Sequence, residues 1–228
     1  MSGELSIDTA SDWASVALSH EERLVGEVTW HCHREHSTQL MPMVETLLSR
    51  LCVDKSELSA VFVCTGPGSY AALRVGVSTA KGLAFALDIP IVGVGRLEIE
   101  SYQYAACGRP VCALHRAGRG EIAWAVYQGP KAEWREVAPP RLSPPEEVMA
   151  QLPAGTLLCG EEDDALDALL SEWDVEAVKS AVAPSRRRAD YLAELGWRRL
   201  AAGQADDVRA LVPLYLREPA IGPQKLAD

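Results

Sequence analysis

The sequence has no apolar run of the roughly 18 residues that a membrane-crossing helix requires, and Met1-Ser2-Gly3-Glu4 lacks the basic-then-apolar pattern of a signal peptide. These absences predict a cytosolic protein that touches no membrane. No CxxC pair occurs: the six cysteines (Cys32, Cys52, Cys64, Cys107, Cys112, Cys159) mostly sit inside apolar runs, where cysteine acts as a small hydrophobe. They are expected to be reduced and structural. Positive charge is also short. A formal net charge of -10 excludes a chain that grips nucleic acid unaided, because phosphate neutralisation supplies most of such binding. The clusters Arg186-Arg187-Arg188 and Arg198-Arg199 read as solvated helix faces rather than RNA contacts. Low-complexity sequence is absent apart from a proline-rich patch, Pro139-Pro140 and Pro144-Pro145.

The signatures of independent chemistry are missing too. Ser6-Ile7-Asp8-Thr9-Ala10-Ser11 ends a strand with an acid and small polar residues, so Asp8 and Thr9 are candidates for a weak nucleotide or phosphate contact. The loop has no glycine to bring backbone amides close to a phosphate, and an ordinary strand-turn fits equally. Thr65-Gly66-Pro67-Gly68-Ser69 offers a helix N-terminus to an anion, yet no Lys-Ser/Thr pair follows its last glycine as in a Walker loop. His31, Cys32, His33 and His36 cluster in sequence, but no HExxH is present and no fourth ligand is evident, so no metal is expected. No serine or cysteine stands in a recognisable nucleophile motif, so no catalytic residue is assigned.

What is present is one order of elements, met twice. Strands are expected at Leu5 to Asp8, Ala14 to Leu18 and Leu24 to His33, followed by a helix from Thr38 to Cys52 with Pro42 near its first turn. A strand at Val61 to Cys64 leads through a glycine turn, with Ser69 as N-cap, into a helix ending near Leu87; a strand at Ile91 to Val94 and a helix at Leu97 to Ala106 follow. After Gly108 and Pro110, strands at Val111 to His115, Glu121 to Tyr127 and Ala132 to Val137 begin the second round. Ser143-Pro144-Pro145-Glu146 reads as a capping box opening a helix to Leu152. A strand at Thr156 to Cys159, a helix at Asp164 to Trp173, a weak strand at Val175 to Val178 and a helix at Ala189 to Ala202 closed by Gly203 complete it. The order β-β-β-α-β-α-β-α, repeated, predicts an α/β chain of two lobes, 1–107 and 108–228, in a duplicated ribonuclease-H-like (actin-like ATPase) fold, with the tail packing back on the first lobe.

The helix from Tyr70 to Leu87 is apolar on several faces, through Leu73, Val75, Val77, Leu83, Phe85 and Leu87, and one sheet cannot cover them all. Ala72, Gly76, Ala80 and Ala84 add a stripe of small residues at four-residue spacing. A second chain, or a wholly internal position, is implied.

Leu5-Ser6-Ile7-Asp8-Thr9-Ala10, His36-Ser37 before the Pro42 helix, and Thr65-Gly66-Pro67-Gly68-Ser69-Tyr70-Ala71-Ala72-Leu73-Arg74-Val75-Gly76 resemble the TsaB family, as do Ser78 to Ala84 and Pro90 to Val94. The likeness thins after about residue 105 to Arg119-Gly120-Glu121-Ile122 and Pro213-Leu214-Tyr215-Leu216-Arg217. It implies a non-catalytic scaffold in the modification of tRNA to threonylcarbamoyladenosine, with a TsaD-like catalytic subunit and a TsaE-like ATPase as partners, and a homodimer when alone. ATP and metal then belong to those partners, and tRNA is met only through the complex. The expected interface is a helix bundle from 38–52 and 70–87, using Leu40, Val44, Leu47, Leu48, Leu51, Ala72, Leu73, Gly76, Ala80 and Leu83. Three positions depart from the family pattern: Ala71-Ala72 replace Thr-Gly, Gly95-Arg96-Leu97 replace Ser-Ser-Leu, and His115 replaces an aspartate. Competing readings are a self-sufficient kinase or metallo-endopeptidase, or a stand-alone homodimeric scaffold.

Overall fold

The computed structural model describes residues 3–160, 166, 168 and 188–217. In the first half, β1 (Gly3–Asp8), β2 (Trp13–His20), β3 (Arg23–His31), β4 (Leu58–Gly66) and β5 (Ile91–Gly95) form a sheet in the order β3-β2-β1-β4-β5. β1, β4 and β5 pair in parallel, which requires crossovers. α1 (His36–Arg50) makes the first of these and α2 (Tyr70–Leu87) the second. The pleat sends Leu5, Ile7, Val61 and Val63 toward α1 and α2, and Ala60, Phe62 and Cys64 to the opposite face. Both faces are covered, so these strands read as nearly unbroken apolar runs. α1 starts two residues before the expected Thr38, which puts Pro42 inside the helix rather than in its first turn.

The second half makes a smaller sheet, β8-β7-β6-β9, from β6 (Val111–Arg116), β7 (Ile122–Gln128), β8 (Arg135–Ser143) and β9 (Leu157–Cys159). The strand expected from Ala132 begins later because Lys131–Glu133 forms a 3-10 turn. It also runs further, pairing Ser143 with Ile122, so Ser143 cannot cap a helix. Pro144 holds the cap position of α4 (Pro145–Gln151) without a side-chain hydrogen bond. Residues 166 and 168 are helical, as expected between Asp164 and Trp173, whereas the strand expected at Val175 to Val178 lies outside the described residues.

Two helices tie the halves together. α3 (Arg96–Tyr102) comes from the first half, yet its Leu97 packs with Val111, Ala113 and Ala125 of the second sheet. Conversely, Leu192 and Leu195 of the last helix, α5 (Arg188–Ala201), pack with Phe62 and Val92 of the first sheet. The segment after α5 passes the edge of β5 toward α2: the Asp206 carboxylate accepts from the Gly93 amide at 2.7 Å, the Leu214 amide donates to the Thr65 carbonyl at 2.8 Å, and Val208 and Leu211 pack with the α1 and α2 core. Arg198 and Arg199 are half-buried and not a solvated face. Arg198 donates to the carbonyls of Lys131 and Ala132 and to the Tyr102 hydroxyl, while Arg199 donates to the Gly93 carbonyl and pairs with Glu98. Arg186, Arg187 and the Arg188 side chain lie outside the described residues.

α5 settles on the sheet at Gly196, where a Cβ would stand 2.3 Å from Cγ of Phe62. Gly196→Ala should therefore destabilise the protein by about 1–3 kcal/mol through overpacking, although alanine favours a helix by about 1 kcal/mol over glycine. A melting temperature equal to or above the parent's would show that the helix is not held against Phe62.

Candidate functional site

Asp8 and Thr9 close β1 at the foot of α2, and each is 1% exposed. The Thr9 hydroxyl donates to the Ala72 carbonyl at 2.8 Å, and one Asp8 oxygen accepts from the Ala10 amide at 2.9 Å. The amide of Ser69, at the N-cap of α2, donates to the Ala10 carbonyl at 3.0 Å. A Cβ on Gly68 would lie 2.2 Å from that carbonyl, so this glycine exists to let the two loops touch. The Ser69 side chain makes no capping bond. Asp8 and Thr9, the candidate phosphate contact, thus brace the chain against α2 and are buried.

The other Asp8 oxygen is buried without a hydrogen bond, and its charge is felt on β3. Burial first, then the charges of Asp190 and Asp8, push the Glu27 carboxyl up to about 7, against a lowering bond from Thr29. The folded chain holds this proton more tightly than the unfolded chain, so the contribution of Glu27 to stability should be fully present near pH 4 and be lost as pH rises through about 7. Glu27→Gln should remove that decline, raising the melting temperature at pH 8 while leaving it unchanged at pH 4. A uniform shift at both values would contradict the assignment.

The histidines do not converge. Nε2 of His36 is held 2.9 Å from the Ser11 carbonyl, whereas Nδ1 of His31 and Nε2 of His33 lie 3.1 Å apart at the surface. All six cysteines are free, four of them buried. Burial pushes the thiols of Cys112 and Cys159 far up, leaving them poor nucleophiles.

α2 carries two ladders of similar spacing. Leu73, Val77, Ala80 and Ala84 are buried against the sheet and α1. Ala71, Val75, Ser78, Gly82 and Phe85 fall two residues out of step, about 200° around a helix, and all are exposed except the half-buried Val75. Their 4-3-4-3 spacing is that of a coiled-coil seam. Phe85 is 68% exposed, and a Cβ on Gly82 would meet nothing within 4 Å. The seam continues through Tyr70, whose ring centroid lies 4.9 Å from that of Tyr215, and toward Val212, which is 65% exposed. Lys81 holds this tail beside α2 by donating to the carbonyls of Arg209 and Leu211.

The expected interface residues stand elsewhere. Leu40, Val44, Leu47, Leu48, Ala72, Leu73, Gly76 and Ala80 are all buried within the chain, covering its own sheet and loops, so none is available to a second chain. Leu51 and Leu83 are half-buried at the edge of the same core. The face of α2 that stands exposed is the opposite one. The exposed residues on that face that the sequence reading did not single out as a site are Ser78, Gly82 and Phe85.

Two of the departing positions meet in space. Nε of Arg96 on α3 lies 3.0 Å from one Glu100 oxygen, and Nε2 of His115 on β6 lies 2.5 Å from the other. All three residues are at most 9% exposed and join the two halves.

Known proteins agree with this architecture. Residues 19–221 match the family "TsaD: tRNA N6-adenosine threonylcarbamoyltransferase". The "tRNA threonylcarbamoyladenosine biosynthesis protein TsaB" of Bacillus subtilis is 33% identical over 93% of each chain. The chain belongs to the TsaB family. The solved structure of YeaZ from Pseudomonas aeruginosa superposes on this TsaB-family chain with a TM-score of 0.80 at 28% identity, covering 95% of it and 100% of YeaZ. An ATP-glucomannokinase from Arthrobacter, 10% identical with a TM-score of 0.52, covering 86% of this chain and 98% of the kinase, shares the fold alone. The architecture is the duplicated ribonuclease-H-like fold.

Proposed function

We propose that this TsaB-family chain is the non-catalytic scaffold subunit in the formation of threonylcarbamoyladenosine on tRNA, and that it docks a larger TsaD-like subunit through the exposed seam of α2. Phe85 carries the reading. It is one of only two phenylalanines in the sequence, and it stands in solvent at the end of a groove of small side chains while Phe62 is fully buried. A partner helix laid along Ala71, Ser78 and Gly82 approaches closely and covers the ring, and removing apolar area from water stabilises by about 25 cal/mol per Å².

The scaffold role is supported by what the loops do: the Ser69 amide is taken by the Ala10 carbonyl, and Asp8 and Thr9 are spent on contacts to their own chain. In this reading ATP and metal belong to the TsaD-like and TsaE-like partners, tRNA is reached through the assembly, and two copies pair through the same seam when no partner is present. The test is to mix the purified chain with the TsaD homologue of the same cell and weigh the product by light scattering. A one-to-one complex is expected, with no ATP hydrolysis by this chain alone. Absence of a complex at about 50 μM, well above the μM affinities of ordinary interfaces, would reject the reading.

A further inference from the structure

A cavity of about 360 Å³ opens between α3, α5 and the β7–β8 connection. It lies at the end of the second sheet away from the β6–β7 turn. Its volume is within the range of small-molecule sites, about 300–1,000 Å³, and is far more than one bridging water fills at about 30 Å³. Two rings line it, Tyr127 of β7 and Trp134 just before β8, with centroids 6.0 Å apart and planes 13° from parallel.

Both rings carry a hydrogen-bond donor, and both line the cavity. Nε1 of Trp134 is buried without a hydrogen bond. Tyr127 is 4% exposed. Tyr127 lines the cavity together with Glu98, Glu136 and Arg199. Burial pushes the phenol up, which keeps it a protonated donor. A buried donor without an acceptor is rare and costly, and the Trp134 nitrogen on this cavity wall points to an acceptor brought from outside.

The surrounding charge favours an anion. Three arginines, Arg135, Arg198 and Arg199, line the cavity against two glutamates. Glu98 is paired with Arg199, whereas Arg198 is bonded, among the described residues, to backbone carbonyls and a hydroxyl. Arg135 stands exposed at the rim. We propose that this cavity binds a small organic monoanion, a carboxylate or phosphate monoester on a flat ring, whose oxygens accept from the Tyr127 hydroxyl and the Trp134 indole N–H. The half-exposed ring of Trp134 receives the flat part.

The experiment titrates the full chain with benzoate and with phenyl phosphate, followed by calorimetry and tryptophan fluorescence; the two probes separate carboxylate from phosphate recognition. Saturation by at least one probe with a Kd near or below about 1 mM is expected. Tyr127→Phe and Trp134→Phe each remove one donor and keep a ring, and each should weaken binding about fivefold or more while leaving the melting temperature unchanged or higher. Arg135→Gln, at the exposed rim and without consequence for folding, should weaken it about threefold and decides the matter if a ring variant does not fold. Failure of both probes to saturate by about 10 mM, the behaviour of a merely water-filled cavity, overturns the proposal. So does saturation that the folded variants leave unchanged.

Discussion

Ala80→Arg is expected to unfold this protein, and Phe85→Arg to leave it folded but unable to bind its partner. The two residues are five positions apart on one helix and differ in what faces them. Ala80 is 0% exposed inside the core formed by α1, α2 and the first sheet, where arginine adds both excess volume and a buried charge without a partner. Such a burden costs several kcal/mol, a large part of a typical total stability of about 5–15 kcal/mol. Phe85 is 68% exposed, so arginine there should alter stability by no more than about 0.5 kcal/mol. At a docked seam, however, losing an aromatic anchor and burying a charge should weaken association by at least about 2 kcal/mol, or roughly thirtyfold. Circular dichroism and light scattering on both variants, with and without the TsaD homologue, distinguish the outcomes. A folded Phe85→Arg that pairs as the parent does would remove this face from the interface; a well-folded Ala80→Arg would show that the buried ladder has been placed on the wrong side.

Spacing alone could not separate these faces. Leu73, Val77, Ala80 and Ala84 recur at intervals of four, three and four, and so do Ala71, Val75, Ser78 and Gly82, offset by two residues. Size is the remaining clue, because the ladder that fills a sheet's grooves must carry the larger aliphatic side chains, but the alanines on both ladders blur it. β1, β4 and β5 were legible because they are apolar on both faces and end at glycine or a charged residue. β8 was not. Pro139-Pro140 reads as a break, yet β8 is an edge strand, where proline leaves no ladder bond wanting, and its register against β7 shifts between Trp124 and Val126, opposite those prolines. The candidate phosphate residues looked open because a short polar loop carries no mark of what seals it; the sealing group is the Ala10 carbonyl, a backbone atom no side-chain pattern announces. Likewise Arg96 and His115 stood out singly, and only the crossing of α3 onto the second sheet brings them to one carboxylate.

That carboxylate should be the most sensitive point between the halves. Glu100 lies within hydrogen-bonding reach of Arg96 on its own helix and of His115 on β6, and its side chain is only 6% exposed. Glu100→Ala leaves a guanidinium in a dry site without its carboxylate, and removing one member of a buried pair costs about 3–5 kcal/mol. For a chain of 228 residues that corresponds to a fall in melting temperature of roughly 10 °C, at about 2–4 °C per kcal/mol. Glu100→Gln should fall less, because the amide oxygen still accepts from Arg96. His115→Asp restores the residue usual in the family and should nevertheless destabilise, since it sets a second carboxylate against Glu100 where the imidazole now stands at 2.5 Å. The departures at 96 and 115 then belong together: an arginine and a histidine are acceptable at these places because a glutamate lies between them, and either one reverted alone faces the charge the other was matched to. A Glu100→Ala protein that melts with the parent would mean that the apolar packing of Leu97 on the second sheet holds the halves without this triad.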